Sequence, residues 1–211
     1  MRSFALCLPL FLLAACEGSK TTYSGTAMGV YFPFDGGRDA EYVNADTNVA
    51  WHLMLHKVEP TETTEGREVA TFEQSMDTGE LLYSVKWSVS SQQPIQIEGW
   101  SEGTGEFQIF DPPLVVANAN MHSDESVSTE TGGRSWTSTF FGPEDCPVLW
   151  GGLEWEDCAH IRIDDGDGDD NVGPAFAGDY WFVTRYGPAW MTTTGYAQWT
   201  LSDYDWDSGG A

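Results

Sequence analysis

The chain has 211 residues, 33 of them acidic against nine basic, and a formal net charge of −24 at pH 7. So negative a balance repels nucleic acid and anionic lipid surfaces, which excludes a polyanion-binding role and makes cations the natural small partners. With 41% hydrophobic residues and ten Trp there is apolar area for a real core, so general disorder is excluded and the length suits one domain.

The chain opens with Arg2 and an apolar run from Phe4 to Leu13. That run is too short for a bilayer-spanning helix, which takes about 20 residues. It ends in Leu13-Ala14-Ala15-Cys16, which resembles the lipobox of bacterial lipoproteins. The resemblance implies removal of residues 1–15 as a signal peptide and a diacylglyceryl group on the Cys16 thiol. A further acyl chain, such as palmitate, on the freed amine is usual in Gram-negative bacteria. Two or three chains anchor a protein stably, whereas one holds it only marginally. The plainer alternative is an ordinary signal peptide with a chance Cys. The expected location is therefore the cell envelope. The chain would be lipid-anchored to a bacterial membrane, the outer one favoured, with its domain in the periplasm or at the cell surface.

Residues 16–29 are small and polar and read as a tether. From there alternation of apolar and polar residues dominates. It is clearest from Leu81 to Ser90, where the odd positions are all apolar, as in a strand with one buried face. Comparable runs lie at Trp51–Val58, Val69–Met76, Ile95–Glu98, Phe107–Phe110, Ser135–Phe141, Ala159–Ile163, Tyr180–Tyr186 and Tyr196–Leu201. Asp77-Thr78-Gly79, Gly103-Thr104-Gly105 and Gly132-Gly133 are turn signals between them. Asp111-Pro112-Pro113 reads as a loop ending its strand, because proline cannot donate to a ladder. No segment shows a capped helical period. The expectation is an all-β domain over residues 30–207, with a frayed tail at 208–211. Its antiparallel, meandering sheet would form a sandwich or a curved half-barrel.

Cys7 leaves with the signal peptide and Cys16 takes lipid, which leaves Cys146 and Cys158. In an export compartment this pair is expected to form a disulfide, worth about 3 kcal/mol for so short a loop. A metal site is the alternative, with His160 nearby, but no second Cys pair or local His pair completes a tetrahedron.

The stretch from Tyr31 to Tyr42, an aromatic-x-Pro turn, a Gly and then an aromatic strand, resembles a loose group of uncharacterised bacterial lipoproteins. Phe110-Asp111-Pro112-Pro113-Leu114, Asp157-Cys158-Ala159-His160-Ile161 and the run from Tyr180 to Pro188 fit the same outline. Ala40 stands where such proteins often carry Trp, and the Cys146 loop is a departure. Some members are similar to the half-barrels of lipoprotein carriers. That likeness implies one sheet wrapped around an apolar cavity and carries over no catalytic residue.

Four local features bear on chemistry. Gly99-Trp100-Ser101-Glu102-Gly103 matches G-x-S-x-G, the nucleophile pattern of serine hydrolases, which needs a strand-to-helix elbow. Here it links two strand-like runs, so a hairpin is expected. The acidic loop of Asp165, Asp167 and Asp169 could offer oxygens to a structural Ca²⁺. An EF-hand needs Gly sixth and Glu twelfth, where this loop has Asp170 and Phe176, so a looser Ca²⁺ loop or a solvated turn remains. His52 and His56 sit in an alternating run and read as exposed side chains on a sheet. Trp150, Trp155, Trp181, Trp190 and Trp199 crowd the second half, where core packing should claim most of them.

The expected role is a non-catalytic, membrane-anchored lipoprotein, with no cofactor beyond the Ca²⁺ considered above. Its domain would bind an apolar ligand or another envelope component. The alternative is a surface carbohydrate-binding module, and an anchored hydrolase using Ser101 comes third.

Overall fold

The computed structural model describes residues 25–32, 39–45, 52–147, 155, 157–166, 176–184, 187–193 and 198–204. Cys16, Trp150, Asp167, Asp169 and the 208–211 tail lie outside them. The described strands, in chain order, are β1 (Thr26–Ala27), β2 (Asp39–Asn44), β3 (His52–Thr64), β4 (Arg67–Met76) and β5 (Leu81–Val89). They continue with β6 (Ile95–Glu102), β7 (Gln108–Ala117), β8 (Asn120–Met121), β9 (Glu125–Thr131) and β10 (Arg134–Glu144). The last are β11 (Cys158–Asp164), β12 (Gly178–Val183), β13 (Gly187–Thr193) and β14 (Gln198–Tyr204). A 3₁₀ turn, Met28–Tyr31, follows β1, and no described helix is long and apolar enough to cross a membrane.

Twelve strands form one antiparallel sheet in the order β7-β6-β5-β4-β3-β2-β14-β13-β12-β11-β10-β9. The fold is thus all-β and meandering, and of the two architectures expected it is the curved one. Two meanders, β2 to β7 and β9 to β14, join where β14 pairs with β2. Tight turns set several registers. Thr64 pairs with Arg67 across Glu65-Gly66, and both turn residues have positive φ, the twist that two-residue hairpins need. Gly132-Gly133 does the same between β9 and β10.

Register slips along the sheet, at β3/β4, β5/β6, β10/β11, β12/β13 and β14/β2 among others, bend it as bulges do. The bending brings the terminal strands β7 and β9 together. They are closed by side chains rather than by a ladder. The Val115 N–H donates to Thr129 Oγ1 at 3.1 Å, and Ser138 Oγ donates to the Val116 carbonyl at 2.6 Å. Beside this seam the short pair β1–β8 draws in the start of the described chain, where the Met28 N–H donates to the Ala119 carbonyl.

The core lies inside the roll. Trp136, Phe110, Phe176 and Trp100 make an aromatic cluster, with Trp136 stacked on Phe176 at 5.4 Å and Trp100 edge-on to Phe176 at 5.7 Å. Ile95, Ile97, Leu114, Val116, Phe140 and Ile161 are fully buried around it.

Four expectations need correction. The tether of residues 16–29 reaches too far, because Thr26 and Ala27 pair with β8 and Met28 is wholly buried. Asp111-Pro112-Pro113 does not end a strand. β7 runs through it, since Phe110 to Pro113 bulge opposite Glu98 between the pairs Gly99–Ile109 and Ile97–Leu114. A bulge on a terminal strand asks nothing of the missing proline N–H. The run Tyr180–Tyr186 is shorter than read, because β12 stops at Val183 and β13 returns from Gly187. Trp155, Trp181 and Trp190 are not in the interior; of the five crowded Trp, Trp199 is the one in the main core among the described residues.

Ser138→Ala should cost about 1–3 kcal/mol, since it leaves the Val116 carbonyl unpaired at a buried seam. Urea denaturation of the variant checks this, and an unchanged midpoint would mean that the seam does not depend on that bond.

Candidate functional site

Alternation places every second residue of β2 to β5 inside the roll, and those residues do not fill it. A cavity of about 80 Å³ remains between β2–β5 and β12–β13, partly open to solvent. One water-sized group needs roughly 10–15 Å³ by such a measure, so the space holds several, comparable to a ring or a short chain segment. Its walls are mainly aromatic. Phe32, from the end of the 3₁₀ turn, packs on Phe182 at 4.3 Å and on Trp87 at 5.7 Å, and Tyr180 stacks on Phe182 at 5.7 Å. Phe72 and Tyr42 complete the ring of large side chains, while Ala40 leaves room.

Polar groups enter this apolar setting at few points. Leu53, Leu55 and Lys57 share the inner face of β3, and Lys57 is 2% exposed. Gln74, buried on β4, lies beside it across the strand pair, where Leu55 faces Gln74 and Lys57 faces Phe72. Lys57 is the one charged side chain among the described residues that line the cavity. Tyr42 donates its hydroxyl to the Pro188 carbonyl at 2.7 Å, which ties β2 to β13 in the cavity wall.

Burial, reinforced by the neighbouring Asp179 charge, pushes the Tyr180 phenol well above its ordinary range. Burial also raises Tyr31, against the hydrogen bond from Thr184 and with the Asp157 charge adding to the rise. Both phenols therefore stay neutral near pH 7. Aromatic walls, neutral hydroxyls, an amide and one ammonium are the makings of a binding pocket for a small amphiphile.

A second cluster sits on the outer face of β11–β13. The Cys146–Cys158 disulfide is present, as the cysteine count implied, and Cys158 packs with Val183 and Ala189 beneath Trp155, Trp181 and Trp190. Next to it His160 stacks on Trp181 at 4.1 Å and packs tilted against Phe141 at 4.6 Å. Its Nδ1 is 2.9 Å from Glu144 and its Nε2 2.9 Å from Asp179. Trp181 Nε1 donates to the same Glu144 oxygen at 2.7 Å, and Arg162 Nε donates to Asp179 at 2.9 Å. Burial alone would raise the Asp179 carboxyl, but the hydrogen bonds and charges of His160 and Arg162 outweigh it and hold the group below its usual value. His160, Glu144, Trp181, Arg162 and Asp179 thus engage one another, and the cluster ties β11 and β12 to Glu144 of β10.

The other expected residues are scattered. Ser101 is buried on β6 opposite Ser84, and one further strand residue, Glu102, and a turn follow it rather than a helix. The glycines of its pattern have local reasons. A side chain at Gly99 would collide with the Gln108 carbonyl at 2.3 Å, and Gly103 turns with φ +51°. Asp165 is 8% exposed and binds Arg134 at 3.0 Å, so it faces a guanidinium. No group of three or more His, Cys, Asp or Glu suited to a metal occurs among the described residues. His56 is exposed and bonds Asp39. The side chain of His52 lies outside the described set.

Lys57 and Gln74 were not singled out from sequence. The signal for Lys57 was present, since a cation stands where the inward series Leu53, Leu55 calls for a third apolar residue. Gln74 breaks the inward series Ala70, Phe72 on β4 in the same way.

Because the Asp179 carboxyl is held low in the folded state, its contribution to stability is complete above the unfolded value, about 3.9. It is lost as pH falls through the lower folded value. Asp179→Asn should therefore destabilise the protein at pH 7 and differ less from the parent as the pH drops below about 4. Denaturant midpoints at both pH values test this; a gap that widens in acid would contradict it.

Comparison with protein-family models, with curated proteins and with solved structures finds no match to this chain, so its function is argued from the site itself.

Proposed function

We propose that this chain is a lipid-anchored bacterial envelope protein whose rolled sheet binds a small, largely apolar ligand in its interior cavity. The carrying observation is the cavity: about 80 Å³ left open among Phe32, Phe72, Trp87 and Phe182, in a core otherwise closely packed with aromatics. Its largely aromatic walls offer apolar surface that a ligand with an apolar body would shield from water. The size suits one ring or a short chain rather than a whole lipid. The Leu13-Ala14-Ala15-Cys16 sequence supports the anchor.

A carbohydrate-binding role draws on one observation, the Trp181–Trp190 pair facing each other across β12 and β13 on the outer face. Both rings are half-buried and His160 covers one face of Trp181, which leaves little stacking surface. Binding on a glycan array would favour this reading over the cavity.

Two measurements test the proposal. Ala40→Leu adds three carbons at the cavity wall and should reduce binding of a small aromatic probe at least tenfold, with the denaturation midpoint kept or raised. Equal binding by parent and variant, or no binding by either, would remove the cavity reading. Cys16→Ala should abolish palmitate labelling and release the chain into the soluble fraction of its bacterial host; continued labelling would refute the anchor.

A further inference from the structure

The position of Lys57 sharpens the ligand's chemistry, and this step rests on the cavity reading above. The chain carries −24 overall, yet the one charged side chain among the described residues lining its cavity is a cation. Lys57 is 2% exposed and lies on the inner face of β3, just before a bulge in which Val58 and Glu62 pair with Thr71 and Val69. A lysine is rarely buried this far without a purpose for its charge. Its stem could have been replaced by leucine or methionine at no cost to the alternation.

The ammonium is engaged within the protein, and a ligand anion would share it rather than meet a bare charge. Beside it Gln74 can donate an amide N–H. A cation that already serves a partner within the protein, with a neutral donor beside it, suits at most a single negative charge. A phosphate dianion would ask for more positive charge than the described lining holds. The remaining walls are apolar.

We infer that the cavity selects a small monoanionic amphiphile, a carboxylate on an apolar body about the size of one ring or a short alkyl chain, with Lys57 as the group that reads the carboxylate. Charge-assisted hydrogen bonds of this type are worth about ten- to a hundredfold in affinity.

The test compares 3-phenylpropionate with its neutral counterpart 3-phenylpropan-1-ol by isothermal titration calorimetry, on the lipid-free chain from residue 17 onward and on its Lys57→Met variant. The parent should prefer the acid by at least tenfold. In Lys57→Met that preference should vanish while the alcohol still binds, which also reports that the variant is folded. Lys57→Arg should restore part of the preference. Equal affinity for acid and alcohol in the parent would overturn the inference and leave the cavity reading intact. So would a preference that survives Lys57→Met. Failure of both compounds to bind the parent would overturn the cavity reading and this inference with it.

Discussion

Bending a twelve-stranded sheet until its ends meet leaves the outer edge of β7 with backbone groups that no ladder satisfies, and the rest of the structure follows from how that edge is closed. Unpaired donors and acceptors on a terminal strand are templates for aggregation unless something occupies them. Here inward-facing hydroxyls do so, with Thr129 taking the Val115 N–H and Ser138 reaching the Val116 carbonyl. β9 and β10 must then present Thr and Ser where an ordinary core strand would present Val or Leu. The seam also needs a connection between the two meanders, which β8 supplies. Its pairing with β1 fixes the 3₁₀ turn over the interior. Tyr31 and Phe32 reach the cavity because of that chain of contacts.

The width of the roll explains the aromatic content. Barrels of about eight strands are just filled by their own side chains, and wider ones leave space or need larger residues. Trp136, Phe110, Phe176 and Trp100 meet that demand at one end, with ring centroids 5.4–5.9 Å apart. On the side of β2–β5 and β12–β13 Ala40 and Val85 are small and Lys57 and Gln74 are polar, and the packing stays open. The same sheet is thus dense where rings interlock and hollow where its inward residues change character.

What could be read from the sequence divides along this line. Strands β4, β5, β10 and β11 were legible because apolar and polar residues alternate along each, even where polar positions such as Ser84 and Ser88 of β5 are themselves buried. β9 was not: its inward residues at the seam are Thr129 and Thr131, so Ser126-Val127-Ser128-Thr129-Glu130-Thr131 shows a single apolar residue. β7 was cut short at its prolines because their inability to donate was weighed without the bulge that makes donation unnecessary. β13 was not read as a strand, because the run ended at Tyr186 and Gly187-Pro188 carries the composition of a turn rather than of a strand start. The disulfide followed from counting cysteines in an export context. The cavity did not, since a void is made by residues from six strands and two turns that no local pattern brings together. Its sequence traces were the lysine ending the Leu53, Leu55 series and the glutamine ending Ala70, Phe72.

That lysine also sets the electrostatic logic of the molecule. Thirty-three carboxylates against nine cations give a field that disfavours an approaching anion at long range. Exposed charges more than about 8 Å away are largely screened at physiological salt, whereas contacts inside a low-dielectric cavity are not. An anion is thus discouraged at the surface and favoured once it is in contact with Lys57. The reverse arrangement, a cationic surface around a neutral pocket, would draw polyanions to the exterior and give no discrimination within. On the proposed reading, a strongly acidic chain with one cation among the described cavity-lining residues would separate solubility from recognition. It accounts for a strongly acidic chain that nevertheless buries an ammonium among Phe72, Tyr180 and Gln74.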